Sequence, residues 1–143
     1  MRNITPIILS GGIGSRLWPL STKDLPKQFL NLPFKSKLNL FEQTLSGLKN
    51  KFNKPLIVCS EKHKFLISNS LKKHKILFSD IIVETISKNT AISVLLGILH
   101  SKITNKTKYS LILPSDHHIP NRNYSNLINK NTKNQIGHII YGI

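Results

Sequence analysis

Cysteine, arginine and acidic residues are scarce in this 143-residue chain: one Cys, three Arg, and six Asp+Glu together. A single cysteine excludes a disulfide framework and a cysteine-rich zinc site. No apolar run reaches the roughly 18 residues of a membrane span. The start, Met1-Arg2-Asn3-Ile4-Thr5-Pro6, has one basic residue and too short an apolar patch for a signal peptide. Only ten aromatic residues occur, none interleaved with a Lys/Arg cluster, so the stacking platforms of a single-strand nucleic-acid binder are missing. What remains abundant is lysine. The formal charge is +15, carried by 18 Lys, with 14 Asn and 20 Ile beside them. That profile is expected from A/T-rich codons, so much of the charge reads as solvated faces rather than a polyanion surface. At 39% hydrophobic, the chain is long enough for one ordinary core. The expectation is a soluble, cytoplasmic, basic domain with no membrane and no nucleic-acid partner.

Short continuous apolar runs alternate with helix-period segments. The runs are Ile7-Ile8-Leu9, Leu56-Ile57-Val58-Cys59, Ile81-Ile82-Val83, Leu111-Ile112-Leu113 and His138-Ile139-Ile140-Tyr141. Continuity rather than alternation suits strands buried on both faces of a parallel sheet. Asn39 followed by Glu42 reads as a capping box, opening a helix that carries Phe41, Leu45, Leu48 and Phe52 on one face. Ser60-Glu61 opens a second helix, to about Lys73. Asn89 caps a third, whose stripe of Ala91, Val94, Leu95, Ile98 and Leu99 is widened by Ile92, Leu96 and Ile103. That breadth predicts burial on most sides. A weaker, Asn-rich helix is placed at Tyr124 to Thr132. The fold class expected is α/β, a Rossmann-like, mostly parallel sheet with flanking helices. Leu20 to Asn39 forms a long connection without clear periodicity, and such loops are usually functional or disordered.

The most informative stretch is Leu9-Ser10-Gly11-Gly12-Ile13-Gly14-Ser15-Arg16-Leu17-Trp18-Pro19-Leu20. It starts where the first strand ends, the place where open α/β sheets bind ligands. Glycines let backbone N–H groups approach an anion, and Arg16 adds a bidentate donor suited to phosphate oxygens. A Walker loop is excluded because no Lys-Ser/Thr pair follows the last glycine, and Leu17 stands where a dinucleotide fingerprint needs a small residue. Three glycines can also make a tight strand-to-helix turn with no ligand at all. Downstream, Leu25-Pro26-Lys27-Gln28-Phe29-Leu30 places Lys27 after a proline-fixed turn, where it can reach back to the same polyphosphate and neutralise charge.

Together, Gly11 to Ser21 and Pro26 to Leu30 closely resemble the signature of the sugar-1-phosphate nucleotidyltransferases. Trp18 and Gln28-Phe29 are similar to the mannose-1-phosphate guanylyltransferase branch; the thymidylyl and uridylyl branches usually carry Tyr or another residue at the Trp position. Glu84-Thr85-Ile86-Ser87-Lys88-Asn89-Thr90-Ala91 resembles the family's segment near the nucleotide base. Leu113-Pro114-Ser115-Asp116-His117-His118 resembles the segment whose Asp holds the catalytic magnesium, and Gly137 to Ile143 the strand before the sugar-binding loop. Departures are Lys88 for Arg, and Thr85 and Ile92 for Pro, which touch nucleotide selectivity more than fold.

The resemblance implies transfer of a guanylyl group from GTP to mannose 1-phosphate, giving GDP-mannose and pyrophosphate with Mg²⁺ and no covalent intermediate. It implies catalytic roles for Arg16, Lys27 and Asp116, with Asp116 as metal ligand. The nucleotide would be bound by Leu9, Ser10, Gly11, Gly12, Gly14, Ser15, Arg16, Lys27, Asn89, Thr90, Pro114 and Ser115. Asp116 has an Asx turn as its plain reading, and Asn89 a helix cap. His117 and His118, adjacent on one strand end, cannot easily face one ion, so His117 is expected as a packed or supporting residue and zinc is not. Cys59 is expected buried and inert, and Lys72-Lys73-His74-Lys75 a solvated helix end. Residues 1–143 are expected to be the N-terminal nucleotide-binding portion of a larger domain, without the sugar-binding portion and with a homo-oligomer or that missing part as partner. Three other readings stay open: a non-catalytic GTP-binding remnant or one piece of a split enzyme, a relative using UTP or dTTP, and, least favoured, a basic nucleic-acid-binding domain.

Overall fold

The computed structural model describes residues 3–12, 14–31, 36–48, 52–85 and 89–118, with the single residues 124, 128 and 137. Four strands, β1 (Ile4–Ser10), β2 (Leu56–Ser60), β3 (Asp80–Glu84) and β4 (Tyr109–Pro114), form one sheet in the order β3-β2-β1-β4. Every pairing is parallel, with Ile7 opposite Leu56 and Ile112, and Ile57 opposite Ile81. Pro6 is accommodated inside β1, opposite Leu111, although the strand is paired on both edges. Among the described residues the expected α/β parallel architecture is present; the expected run His138 to Tyr141 lies outside them.

The helices are α1 (Leu40–Leu48), α2 (Lys64–Lys73) and α3 (Thr90–Thr104). The chain steps from β1 through β2 to β3, then returns past β1 to β4. With right-handed crossovers, that reversal puts the last connecting helix on the opposite face. The core divides accordingly. Ile4, Ile8, Ile57 and Cys59 face Phe41, Leu45, Ile67 and Leu71, whereas Ile7, Leu56 and Val58 face Ile98. Tyr124 and Ile128, both helical and buried, join the first cluster; the rest of the expected Tyr124 to Thr132 helix lies outside the described residues. Cys59 is buried, and burial, helped by Glu84, pushes its thiol up to about 11. No helix among the described residues is long and apolar enough to cross a membrane.

Local signals hold at two helix starts. Glu42 donates its N–H to Asn39 Oδ1 at 2.8 Å, and Glu42 Oε2 accepts the Asn39 N–H at 3.0 Å, the reciprocal box expected. Phe52 is buried in the same core but lies beyond the helix end. The segment from Glu61 begins as a 3₁₀ turn, Glu61–His63, before α2. The basic end of α2 is solvated as expected at its three lysines, Lys73 included, and only His74 is half-buried. Lys73 Nζ and His74 Nε2 lie 3.2 and 2.9 Å from Glu42 Oε1, while Lys72 and Lys75 are exposed.

The third helix corrects an expectation. Its start is as read, with Asn89 Oδ1 accepting the Ala91 N–H at 3.4 Å, but its broad apolar stripe is not buried. Ile92, Leu95, Leu96, Leu99 and Ile103 are exposed, and only Gly97 and Ser101 are fully covered. Small residues win the inward face because the helix lies very close to the sheet: a Cβ on Gly97 would sit 2.6 Å from Ile7 Cγ2. Gly97→Ala is therefore expected to lose about 1–3 kcal/mol in urea unfolding through overpacking, outweighing alanine's helix propensity. Leu99→Ala, on the outer face, should stay within about 0.5 kcal/mol. Equal effects of the two would contradict this packing.

Glu42 gives a pH prediction. Burial alone would raise its pKa, but hydrogen bonds from His74, the Asn39 N–H and Lys73 prevail and hold it below the usual 4.5. A lowered folded-state value means stability is present above the unfolded pKa and lost as pH falls through the folded one. Glu42→Gln should cost about 1–3 kcal/mol at neutral pH and flatten the loss of stability below the ordinary carboxylate range, read from urea midpoints against pH.

Candidate functional site

β1 ends at the buried Ser10, and the chain leaves the sheet through Gly11 and Gly12. It re-enters regular structure in a 3₁₀ turn, Ser15–Leu17, whose cap residue Gly14 has φ 70° and ψ 43°, a left-handed conformation. The Gly14 carbonyl accepts the Leu17 N–H at 3.1 Å and the Ser21 hydroxyl at 2.6 Å. Glycine is demanded twice here, since a Cβ at position 14 would also lie 2.5 Å from Lys27 Cβ. At Gly12, by contrast, a Cβ would meet nothing within 4 Å, so an incoming group has open approach to the backbone. Ser15 and Arg16 are exposed in the turn, and Trp18, also exposed, precedes Pro19 through a cis peptide.

The second piece is the 3₁₀ turn Lys27–Phe29, opened by Pro26 in extended geometry. Phe29 anchors it in the core, its ring 5.4 Å from that of Phe41. With the turn fixed from below, the Lys27 side chain lies across Gly14, and its Nζ is 3.9 Å from Asp116 Oδ2. Both side chains are partly exposed, 28% and 42%. A long, half-solvated pair contributes little stability, so either side chain can change partner at small cost. Between lysine and core sits Gln28, 1% exposed. Its Nε2 donates to the Gly12 carbonyl at 3.0 Å and lies 3.4 Å from Ser10 Oγ.

β4 supplies the third piece. Beyond Pro114, the Ser115 N–H and hydroxyl both donate to the Leu9 carbonyl, at 3.1 and 2.8 Å. That double tie fastens the end of β4 to the root of the glycine loop and fixes where Asp116 begins. The hydroxyl of Ser115, expected to bind nucleotide, is thus engaged with β1. Of the two places expected for His117, packed or supporting, it takes the second: it is exposed and lies beside Asp116, with Nε2 3.8 Å from Asp116 Oδ1. His118 turns elsewhere, its Nδ1 3.2 Å from Gln43 Oε1, so the adjacent histidines do diverge.

Leu9, Ser10, Gly11, Gly12, Gly14, Ser15, Arg16, Lys27, Pro114, Ser115 and Asp116 are therefore grouped at the carboxyl ends of β1 and β4, the point where strand order reverses. Asn89 and Thr90 stand at the start of α3, the helix that follows β3 in the chain. The buried Glu84 braces that region by accepting the Ser93 hydroxyl at 2.6 Å. Lys88 lies outside the described residues. Gln28 and Ser21 are the contributors that sequence reading did not assign. Gln28 stands in the quoted motif, but nothing in a sequence marks an amide as buried and aimed at a loop.

A family model described as nucleotidyl transferase matches residues 5–143. Mannose-1-phosphate guanylyltransferase of Escherichia coli is 37% identical over 119 residues, 81% of this chain and 25% of that protein. The alginate biosynthesis protein AlgA of Pseudomonas aeruginosa is 40% identical over 113 residues, 78% of this chain and 23% of that protein. Among solved structures, a Thermus thermophilus protein described as mannose-1-phosphate geranyltransferase superposes with a TM-score of 0.72 at 26% identity, covering 90% of this chain and 37% of that one. A Helicobacter pylori protein described as mannose-6-phosphate isomerase gives 0.66 at 34% identity, covering 90% and 44%. This chain thus spans about a quarter of the length of the curated relatives it matches.

The loop geometry makes a paired prediction. Gly14→Ala imposes left-handed backbone on a Cβ residue, about 1–2 kcal/mol, and displaces Lys27, whereas Gly12→Ala should leave urea stability within about 0.5 kcal/mol. The reverse order of effects would contradict the contact between Gly14 and Lys27.

Proposed function

The chain belongs to the nucleotidyl transferase family, and on that premise we propose that it forms the nucleotide-binding part of a catalyst for guanylyl transfer from GTP to mannose 1-phosphate. The observation that carries the reading is the convergence of glycine loop, Lys27 and Asp116 on one sheet edge, with Lys27 Nζ 3.9 Å from Asp116 Oδ2. In the reaction, a phosphate oxygen of mannose 1-phosphate attacks the α-phosphorus of GTP. The bond from that phosphorus to the bridging oxygen breaks, and pyrophosphate leaves as GDP-mannose forms. No side-chain nucleophile is required, so catalysis rests on positioning and on neutralising charge. Loop N–H groups at Gly11, Gly12 and Gly14 face the triphosphate, Arg16 and Lys27 offset its negative charge, and Asn89 and Thr90 stand toward the base.

Magnesium fits the donor set on one condition. Asp116 offers a hard, partly exposed carboxylate, and among the described residues no group of three or more His, Cys, Asp or Glu comes together. An ion here would share one carboxylate with phosphate oxygens, as Mg²⁺ does and as a closed nitrogen–sulfur site does not. When bound, Mg²⁺ supplies charge neutralisation of the phosphates. Guanine and mannose are drawn from the relatives' names.

Because the relatives are longer, the expectation for these 143 residues is weak GTP–Mg²⁺ binding with little or no turnover. Calorimetric titration should give saturable GTP binding, weakened at least about tenfold, or ~1.4 kcal/mol, by Lys27→Ala. Asp116→Ala should abolish the magnesium dependence of binding while sparing metal-free affinity. Absence of GTP binding would contradict the proposal, and pyrophosphate release at a substantial rate would contradict the binding-part assignment.

A further inference from the structure

We propose that Gln28 is a positioning residue for the triphosphate, its buried amide holding the glycine loop in the shape that presents N–H groups to phosphate; this rests on the reading of the loop given above. A carboxamide that is 1% exposed must find partners inside the protein or lose its hydration uncompensated. Those partners are not in the apolar core beside it. They are Ser10 Oγ, at 3.4 Å, and the Gly12 carbonyl, at 3.0 Å, on either side of Gly11. Gln28 therefore spans the first bend of the loop, where the chain leaves the sheet.

Tying a carbonyl matters because it orients a whole peptide. The peptide is planar, and in the trans form the N–H points away from the C=O. Three loop-region carbonyls are held this way by side chains: Leu9 by Ser115, Gly12 by Gln28, and Gly14 by Ser21. Each tie draws a partial negative charge back toward the protein, where it would otherwise repel polyphosphate, and fixes a peptide next to one that carries a glycine N–H. Gln28 differs from the two serines in its place. It follows Lys27 directly in one 3₁₀ turn, and the Lys27 side chain lies over Gly14. One anchored turn thereby sets both the backbone cradle and the cation above it. An apolar side chain would fill the same volume but could make neither bond.

The test compares GTP and GMP binding by the full 143-residue chain, wild type and Gln28→Met, a swap that keeps length and removes the donor. Gln28→Met is expected to lower GTP affinity at least tenfold and to reduce the GTP-to-GMP affinity ratio by a similar factor, because only the triphosphate reads loop shape. A merely structural role would lower both affinities together and leave the ratio unchanged, which would overturn the proposal, as would wild-type affinity for GTP. If Gln28→Met fails to fold, NMR of the wild-type chain decides. The Gln28 side-chain amide protons should be protected from exchange and shift on addition of inorganic tripolyphosphate. Exchange at the solvent rate, or no shift at saturating tripolyphosphate, would overturn it. Wild-type chain that binds neither GTP nor tripolyphosphate removes the loop assignment and this inference together, whereas GTP binding indifferent to Gln28 removes this inference alone.

Discussion

A strand paired on both edges and covered on both faces meets solvent only at its ends, and β1 is such a strand. It is hydrogen-bonded to β2 on one side and β4 on the other, with α1 and α2 over one face and α3 over the other. Ile7 and Ile8 are completely buried, one to each face. Its carboxyl end is consequently the most rigidly placed point from which a loop can depart. The reversal of strand order around β1 also leaves a crevice there. Gly11 and Gly12 leave into that crevice, and Ser115 and Gln28 fasten the same root from β4 and from the Lys27 turn. The site inherits its precision from the core rather than from the loop.

Electrostatics follow a similar economy. The chain has 21 basic residues and only six acidic ones, and several of those acids tie elements together. Glu42 joins the start of α1 to the end of α2, Glu84 joins β3 to α3, and Asp80 lies 3.0 Å from His100. Asp116 faces Lys27 in the crevice. The excess lysine charge is mostly solvated and screened within about 10 Å at ordinary salt. Lys27 is distinguished by position, not by type: its turn is anchored by Phe29, and its stem crosses the left-handed Gly14.

Much of this was legible in the sequence. Continuous apolar runs identified the four described strands because strands covered on both faces have no polar side. The caps at Asn39 and Asn89 were legible because capping is local, needing only residues a turn apart. The site was legible as a set of motifs, although only the fold shows that the Ser115 hydroxyl is spent on β1. What failed was orientation. The third helix is apolar nearly all round, so periodicity could not say which side meets the sheet. The answer turned on Gly97 and Ser101, whose small size permits close approach but which weigh little in a hydrophobic pattern. The exposure of His117 and the burial of Gln28 were not legible either, for one reason. Exposure of an imidazole and burial of an amide are decided by what lies above them in space, here Asp116 and the loop root.

We place a nucleoside triphosphate in the β1–β4 crevice, held by the loop and Lys27. Phosphorus NMR of GTP with Mg²⁺, titrated with the 143-residue chain, tests it most directly. Saturable shifts of the phosphate resonances are expected, and they should disappear in Lys27→Ala while that variant remains folded. Phosphate resonances untouched by the wild-type chain, or shifted equally by the variant, would contradict it.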